Sequence, residues 1–248
     1  MLEKADHPRG HVRPSPNFGE RKDGKSITTI ILHYTGMKSG QGAEDWLCNI
    51  ESQVSSHYII HENGKVVQMV AEADRAWHAG ASFWKGETDL NSVSVGIEIV
   101  NPGHTLGYKH FPKKQITAVI RLCRGVLKRH NIAPQMVLAH SDIAPGRKVD
   151  PGELFPWGEL NEAGIGHYVV PEPISGGRFF TLGDEGQPIE ALQAMLSMYG
   201  YNVPVTGVFD ETTKKTVKAF QLHFRPEKVD GVADASTITT LHKLLRAL

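Results

Sequence analysis

The run Ile27-Thr28-Thr29-Ile30-Ile31-Leu32-His33-Tyr34 is β-branched and apolar on both of its faces. Such a run predicts a central strand buried between two layers of the fold. Residues 57–60 and 66–70 are two further strand-like runs, and they flank Glu62-Asn63-Gly64-Lys65. Asn-Gly between strand-forming residues is typical of a β-hairpin. Residues 93–100 predict another strand.

Helical periodicity lies between and after these strands. Apolar residues recur at helical spacing from Pro112 to His130, and a shorter helix is predicted at 43–50. Residues 136–139 predict a short strand that ends at His140. The order strand, helix, hairpin, strand, helix, strand predicts the α/β class, with a mixed central β-sheet flanked by helices over residues 26–168. Residues 1–25 are rich in Pro, Gly and charge, and we interpret them as an irregular N-terminal arm.

The composition changes after Trp157. Residues 169–180 have the Pro and Gly content of a linker. Beyond it, Val-Thr-Gly-Val-Phe-Asp at 205–210 is echoed by Val-Asp-Gly-Val-Ala-Asp at 229–234, and each copy places an Asp N-cap before a helix. An earlier helix begins near Pro188 and ends at Gly200. The sequence therefore predicts a small all-α three-helix domain over 181–248.

Charge and hydropathy argue against a nucleic-acid-binding protein and against a membrane protein. The 27 Lys and Arg residues balance the 27 Asp and Glu residues, so no net field attracts nucleic acid or an anionic membrane. No apolar run approaches the roughly 18 residues of a transmembrane segment. The first residues lack the apolar core of a signal peptide. We therefore expect a cytoplasmic protein, or a protein of the cell envelope (periplasm) whose leader was removed or lies outside this sequence.

A loop dense in reactive side chains follows the last predicted strand of the sheet. Within residues 140–152 it places His140, Lys148 and Asp150 among Pro and Gly residues. Ordering such a loop costs conformational entropy, which a bound metal would offset. Two ligands do not make a stable zinc site, so a third must come from elsewhere in the chain.

His33 is the candidate third ligand. It ends the central strand, where side chains project into a crevice at the sheet edge, and His140 ends a strand that we expect beside it. Asp150 precedes Pro151, which favours an extended backbone and an outward carboxylate. Each of these residues alone is more often structural. Together, His33, His140 and Asp150 suit one zinc ion per chain, with the fourth tetrahedral position open.

Glu98 is the candidate catalytic carboxylate. Alternation along 93–99 points Glu98 away from the core, on the same face as Ser94 and Gly96, whose small size leaves room for a ligand. A zinc hydrolase needs a carboxylate that takes a proton from the attacking water and passes it to the leaving amine. Lys148, on the same side as Asp150 in an extended segment, would stabilise an oxyanion. A solvent-facing Glu and a solvated loop Lys are the alternatives.

At these residues the chain resembles the zinc-dependent N-acetylmuramoyl-L-alanine amidases, which cleave the bond between the lactyl group of N-acetylmuramic acid and the L-alanine of the stem peptide. The resemblance covers residues 27–160. It implies zinc ligands at His33, His140 and Asp150, a catalytic Glu98 and a loop cation at Lys148. Five segments carry it: Ile31-Leu32-His33-Tyr34-Thr35, Val54-Ser55-Ser56-His57-Tyr58, Ala76-Trp77-His78-Ala79-Gly80, Val95-Gly96-Ile97-Glu98-Ile99 and residues 140–152.

The expected partner is peptidoglycan or a muropeptide, with no nucleic acid. Trp77 and His78 lie in a Gly-flanked loop and are expected to line the substrate groove, where an aromatic face suits a sugar or a peptide side chain. Phe83 and Trp84 either extend that surface or pack in the core. The C-terminal module resembles a peptidoglycan-binding domain, which would raise the local substrate concentration. A helical appendage that only adds stability is the alternative.

Two other functions stay open at this point. One is a peptidoglycan-recognition protein that binds without cleaving, against which the complete set of ligands and Glu98 argues. The other is a zinc peptidase that acts within the stem peptide. The products of the reaction would distinguish an amidase from a peptidase.

Overall fold

The computed structural model describes residues 2–248, so Met1 of the predicted arm lies outside the described residues. The strands are β1 His11–Val12, β2 Phe18–Gly19, β3 Thr29–Tyr34, β4 Tyr58–Ile60, β5 Val66–Gln68, β6 Arg75–Ala76, β7 Ser94–Ile99, β8 Val137–Ala139, β9 Phe179–Phe180 and β10 Ala233–Asp234. The helices are α1 Gly40–Leu47, α2 Leu90–Val93, α3 Gly103–Leu106, α4 Lys113–His130, α5 His140–Ile143, α6 Trp157–Glu162, α7 Gln187–Tyr199, α8 Glu211–Phe224 and α9 Ala235–Arg246.

The central sheet has six strands in the order β1-β5-β4-β7-β3-β8. Its only antiparallel pair within residues 2–248 is β4 with β5, which is the predicted hairpin, and the other neighbours are parallel. Gly64 in the hairpin turn has φ +86°, and a Cβ there would lie 2.9 Å from the carbonyl oxygen of Lys114. The predicted α/β class with a mixed sheet and flanking helices is confirmed.

Strand β3 is buried on both faces, as its composition predicts. Ile30 and Leu32 pack into the core that α4 covers, while Ile31 faces the opposite core. On β7 the alternate residues Val95 and Ile97 also face α4 and are fully buried. Each such aliphatic side chain contributes about 1.5–3 kcal/mol by leaving water. Because β3 pairs in parallel with β7 and with β8, the carboxyl ends of these three strands lie at the same edge of the sheet.

The N-terminal arm is more ordered than its composition indicates. Residues 11–12 pair with β5, and residues 18–19 pair with β6. Between these strands, the Ser15 hydroxyl donates to the carbonyl of Leu47 at 2.6 Å, and the Asn17 amide donates to two loop carbonyls. Polar side chains of the arm thus satisfy backbone groups of neighbouring loops, which binds the arm to the sheet.

The repeat in the C-terminal region forms two matching turns. Asp210 and Asp234 accept hydrogen bonds from the backbone N–H groups three residues later, both at 2.8 Å, so both are the predicted N-caps. Each turn is held by a buried glutamine amide. Gln193 bonds the N–H of Gly207 and the carbonyl of Val208, and Gln221 bonds the equivalent groups of the second turn. Helices α7, α8 and α9 complete this unit.

The C-terminal helices share a core with the sheet domain. Trp84 is 1% exposed, and its ring packs edge-on against Tyr199 and Tyr201, with centroids 6.0 and 4.9 Å away. Leu138 of β8 belongs to the same apolar cluster. Of the two alternatives for Trp84, the structure therefore supports core packing. Within residues 2–248, no helix is long and apolar enough to cross a membrane.

A buried carboxylate, Glu72, ties the far end of the sheet to α4. It accepts hydrogen bonds from the Tyr58 hydroxyl (2.6 Å), from Arg129 Nε (2.9 Å) and from His130 Nε2 (2.6 Å). Burial by itself raises the pKa of Glu72, but these hydrogen bonds and the Arg129 charge outweigh it and lower the pKa to about 2. The folded state therefore holds Glu72 ionised.

We expect Glu72→Gln to lower the free energy of unfolding at pH 7 by about 2–3 kcal/mol. A group whose pKa is depressed on folding stabilises the protein above its unfolded pKa and loses that effect as pH falls. The difference between the two proteins should therefore shrink as pH falls from 4.5 to about 2. Urea unfolding at several pH values measures it. Glu62→Gln, at an exposed pair with Lys109, is the control. Equal free energies of unfolding for wild type and Glu72→Gln at pH 7 would contradict the conclusion that ionised Glu72 stabilises the fold.

Candidate metal centre and active site

Three predicted metal ligands converge at the carboxyl edge of the sheet. His33 lies near the end of β3, and His140 directly follows β8, the parallel neighbour of β3. Asp150 comes from the following loop, where its carbonyl accepts the N–H of Ser141 at 3.0 Å and its bond to Pro151 is cis. His33, His140 and Asp150 form a buried group that can hold a metal ion.

The distances among these ligand atoms fit a small tetrahedral ion. His33 Nδ1 lies 2.9 Å from His140 Nδ1, and the two nitrogens lie 3.2 and 3.0 Å from Asp150 Oδ2. A tetrahedral ion with bonds of about 2.0–2.2 Å separates neighbouring ligand atoms by about 3.3 Å. Two imidazole nitrogens with one carboxylate oxygen suit zinc and are unlike the oxygen cages of calcium or magnesium.

The hydrogen bonds behind His140 set its tautomer. Its Nε2 lies 3.1 Å from the carbonyl oxygen of Ala79, which can only accept, so Nε2 carries the proton. The lone pair of His140 Nδ1 therefore faces the ligand centre. Arg147 donates to the same Ala79 carbonyl at 2.7 Å and to the Ala81 carbonyl at 2.6 Å. Its guanidinium therefore holds the backbone of residues 79–81 in place.

A chain of donors sets the tautomer of His33. The Ser94 hydroxyl donates to the carbonyl of Leu90 (2.5 Å), so it accepts from His78 Nε2 (3.1 Å). His78 Nδ1 is then an acceptor, and His33 Nε2–H donates to it at 3.0 Å. Burial, followed by the charge of His140, lowers the pKa of His33 to about 4. Neutral His33 thus presents its Nδ1 lone pair to the centre.

Asp150 is the negative charge of the triad. Burial alone would raise the pKa of its carboxyl, but His140 and His33 outweigh burial and hold the pKa well below its usual range. Its side chain remains 8% exposed. An ionised carboxylate is the protonation state in which an aspartate binds a metal ion.

Glu98 lies directly beside His33, because β7 and β3 pair in register at these two residues. Its side chain is partly exposed, yet Oε2 is buried and has no hydrogen-bond partner within residues 2–248. Burial, then repulsion by Asp150, raises the pKa of Glu98 well above its usual range, while Lys148 acts in the opposite direction. A carboxylate with a raised pKa and a free oxygen can both accept and return a proton.

The space beside Glu98, which the sequence predicts to be open for a ligand, is occupied by a side chain of the protein. Ser94 and Gly96 share its face of β7, as alternation predicts, but the imidazole of His78 packs over them. A Cβ at Gly96 would collide with that ring. Asn91 fixes the His78 backbone by accepting its N–H at 3.0 Å and that of Ala79 at 2.8 Å. The small residues thus make room for a side chain that orients His33.

A cleft of about 410 Å³ opens over these residues. Trp77, His78 and Lys148 line it together with Glu98, His140 and Asp150, so the structure brings all the predicted site residues except the deeper His33 to one cavity wall. Trp46 of α1, which is 48% exposed, also lines the cleft. Sequence reasoning missed Trp46, although a large exposed aromatic on a short helix is a signal for a binding surface.

His57, a tempting additional ligand, is held away from the metal group. The Gly96 N–H donates to its Nδ1 at 2.9 Å, so its Nε2 carries the proton and donates to the carbonyl of Asp74 at 3.1 Å. Both ring nitrogens are occupied by the backbone. These contacts give His57 a structural role in holding the backbone at Gly96 and Asp74.

Comparisons with known proteins cover both parts of the chain. The family described as N-acetylmuramoyl-L-alanine amidase matches residues 23–153, and the family described as putative peptidoglycan binding domain matches residues 185–241. The N-acetylmuramoyl-L-alanine amidase AmiD of Escherichia coli (strain K12) is 37% identical over 88% of this chain and 82% of its own length. The 1,6-anhydro-N-acetylmuramyl-L-alanine amidase AmpD of the same organism is 34% identical, over 58% of this chain and 86% of AmpD.

A solved structure is similar over nearly the whole chain. It is the complex of AmiD from E. coli with the substrate anhydro-N-acetylmuramic acid-L-Ala-D-γ-Glu-L-Lys. The TM-score is 0.76 at 34% identity, and the match covers 95% of this chain and 93% of that chain. The likeness therefore includes the C-terminal helices as well as the sheet domain.

Proposed function

The chain belongs to the N-acetylmuramoyl-L-alanine amidase family, as its five sequence segments indicate, and we propose that it hydrolyses the amide bond between N-acetylmuramic acid and L-alanine in peptidoglycan or its muropeptide fragments. The observation that carries this proposal is the triangle of His33, His140 and Asp150 beside Glu98, whose Oε2 has no hydrogen-bond partner among residues 2–248. A binding-only protein has no need of such a carboxylate.

One zinc ion per chain, held by His33, His140 and Asp150, is the proposed cofactor. When bound, zinc would supply Lewis acidity, which lowers the pKa of the attacking water and polarises the scissile carbonyl. The two imidazoles are already in the tautomer that directs a lone pair at the site, and Asp150 is ionised.

Glu98 is proposed to move the proton of the reaction. Its Oε2 takes one proton from the attacking water as oxygen bonds to the lactyl carbonyl carbon, and then returns that proton to the departing nitrogen of L-alanine. Lys148 lies close enough to lower the pKa of Glu98 and lines the same cleft. Its ammonium is proposed to stabilise the oxyanion that forms on the carbonyl oxygen.

The cleft walls are proposed to hold the sugar and the stem peptide. Trp77 and Trp46 both line the cleft and offer aromatic faces for this purpose. His78 lines it too, but its hydrogen bond to His33 supports an orienting role in addition to any contact with substrate. The three-helix domain at 181–248, joined by residues 169–180 to the catalytic domain at 26–168, is proposed to bind peptidoglycan.

Product analysis tests the activity. Incubation of the zinc-loaded protein with muropeptides should release the intact stem peptide with a free L-alanine amine, together with a sugar whose lactyl carboxylate is free. Mass spectrometry identifies both products. Muramic acid that still carries L-alanine would contradict the proposal and indicate a peptidase, and binding without any product would indicate a recognition protein.

The form of the substrate bears on the compartment. Faster hydrolysis of whole sacculi than of soluble anhydro-muropeptides, at equal bond concentration, would support action on the polymer in the cell envelope. The opposite preference would support recycling of released fragments in the cytoplasm. We expect cleavage of sacculi. Residues 185–241 match a peptidoglycan-binding family, and a domain that binds the polymer would raise the local concentration of substrate at the cleft.

A further inference from the structure

A fully buried carboxylate lies two residues after the ligand His140. Asp142 belongs to the four-residue helix α5 and is 0% exposed. Its Oδ2 accepts the backbone N–H of Ala139, the residue before His140, at 2.8 Å. Asp142 thus ties the backbone that precedes His140 to the turn that follows it. A helix of one turn is not stable by itself, so its position depends on such contacts.

The other partners of Asp142 come from the C-terminal helical unit. The Tyr201 hydroxyl donates to Oδ1 at 2.7 Å, and His223 Nδ1 lies 2.6 Å from Oδ2. Both residues are at most 2% exposed. The His223 ring is stacked between Trp157 and Phe224, with centroids 3.7 and 3.8 Å away, which fixes the direction of its Nδ1–H.

These contacts are unusual within their interface. Around them, the surface between the sheet domain and the C-terminal helices is apolar and includes Trp84, Leu138 and Ile143. A buried carboxyl group in such surroundings is costly unless each oxygen is hydrogen-bonded. The C-terminal unit supplies two of the three donors, so the orientation of Asp142 depends on that unit being docked.

We propose that Tyr201 and His223 hold Asp142, and through it position His140 for the metal, so that the C-terminal domain is a structural part of the metal centre in addition to binding the wall. Asp142, Tyr201 and His223 are positioning residues. The proposal rests on the zinc site of the proposed function. Groups that orient metal ligands typically change metal affinity by about 10–100-fold when they are removed.

Two adjacent tyrosines provide a matched test in the full-length protein. Tyr201→Phe removes the hydroxyl that faces Asp142. Tyr199→Phe removes an equally buried hydroxyl of the same unit, which instead lies 2.9 Å from His167 Nδ1. The zinc dissociation constant, from competition with a fluorescent chelator, and the Tm of the zinc-free protein are measured for each.

Both variants should lower the Tm, but only Tyr201→Phe should weaken zinc binding, by about tenfold or more. Activity of Tyr201→Phe should fall at limiting zinc and recover in excess zinc, with an unchanged KM for muropeptide. His223→Phe, which keeps an aromatic ring in the stack but removes the donor, should have the same effect on zinc and carries the test if Tyr201→Phe does not fold.

Zinc affinities of Tyr201→Phe and His223→Phe equal to that of wild type would overturn the positioning role while leaving the amidase function intact. An equal loss of zinc affinity in Tyr199→Phe would also overturn it, because the effect would then be general loosening of the interface. Absence of saturable zinc binding by wild type would overturn the proposed metal site, and the positioning role with it.

Discussion

Glu98→Gln should lower kcat for muropeptide hydrolysis by about 10²–10⁴-fold and leave the zinc dissociation constant nearly unchanged. Glutamine has the shape of glutamate but cannot take a proton from water or return it to the leaving amine. Glu98 is also not one of the three groups that converge on the metal position. Steady-state kinetics and a zinc titration of the same preparation measure the two quantities.

The same variant should be at least as stable as wild type. Burial and the charge of Asp150 raise the pKa of Glu98, so its ionised form costs folding free energy at pH 7, and glutamine removes that cost. A raised or equal Tm of the zinc-free variant, together with a lost kcat, is the pattern of a group retained for chemistry. Glu153→Gln, at an exposed carboxylate that pairs with His104, is the control and should keep wild-type kcat. A near wild-type kcat for Glu98→Gln would remove Glu98 from the reaction.

Asp150→Asn should abolish activity at stoichiometric zinc, with a loss of at least about 10³-fold. Asp150 is the only carboxylate among the three proposed ligands, and the Nδ1 atoms of His33 and His140 lie within 3.2 Å of its Oδ2. An amide oxygen in its place would leave the cation less neutralised and would bind it more weakly. Exhaustive chelation of wild type should cause the same loss, and added zinc should restore wild type at concentrations too low to restore the variant.

Asp23→Asn is the matched control for this change of charge. Asp23 is exposed, lies in a turn of the N-terminal arm and has φ 56°, a conformation that asparagine tolerates. Its variant should bind zinc and turn over as wild type does. Full activity of wild type after exhaustive chelation, confirmed by metal analysis, would contradict a metal-dependent mechanism.

Much of the fold follows from local patterns. The apolar run at 27–34, the Asn-Gly turn and the helical period of 113–130 each depend on residues close in sequence, and each predicted element is present. The capping aspartates Asp210 and Asp234 bond groups only three residues away. Such elements can be predicted from sequence because the preference for a helix, strand or turn is set by interactions among residues a few positions apart.

The site could be predicted in part for a related reason. His33 and His140 sit at the ends of strands, and parallel strands that are neighbours bring their carboxyl ends together. Glu98 could be assigned to the correct face by alternation alone. The sequence by itself therefore determined which residues are candidates for the metal and the proton transfer, and the family to which they belong.

Only the tertiary structure decided what stands behind those candidates. The hydrogen bonds that run from His33 through His78 to Ser94 join residues that are far apart in sequence. His33 and His78 are 45 residues apart, and His78 and Ser94 are 16 apart. The contact of His223 with Asp142 joins residues 81 apart. Such contacts leave no periodic trace in the sequence, because they arise from the docking of whole elements. The reactive groups of the loop from His140 to Gly152 can thus be recognised in its own sequence. The groups that hold this loop in place, such as Tyr201 and His223, come from elsewhere in the chain.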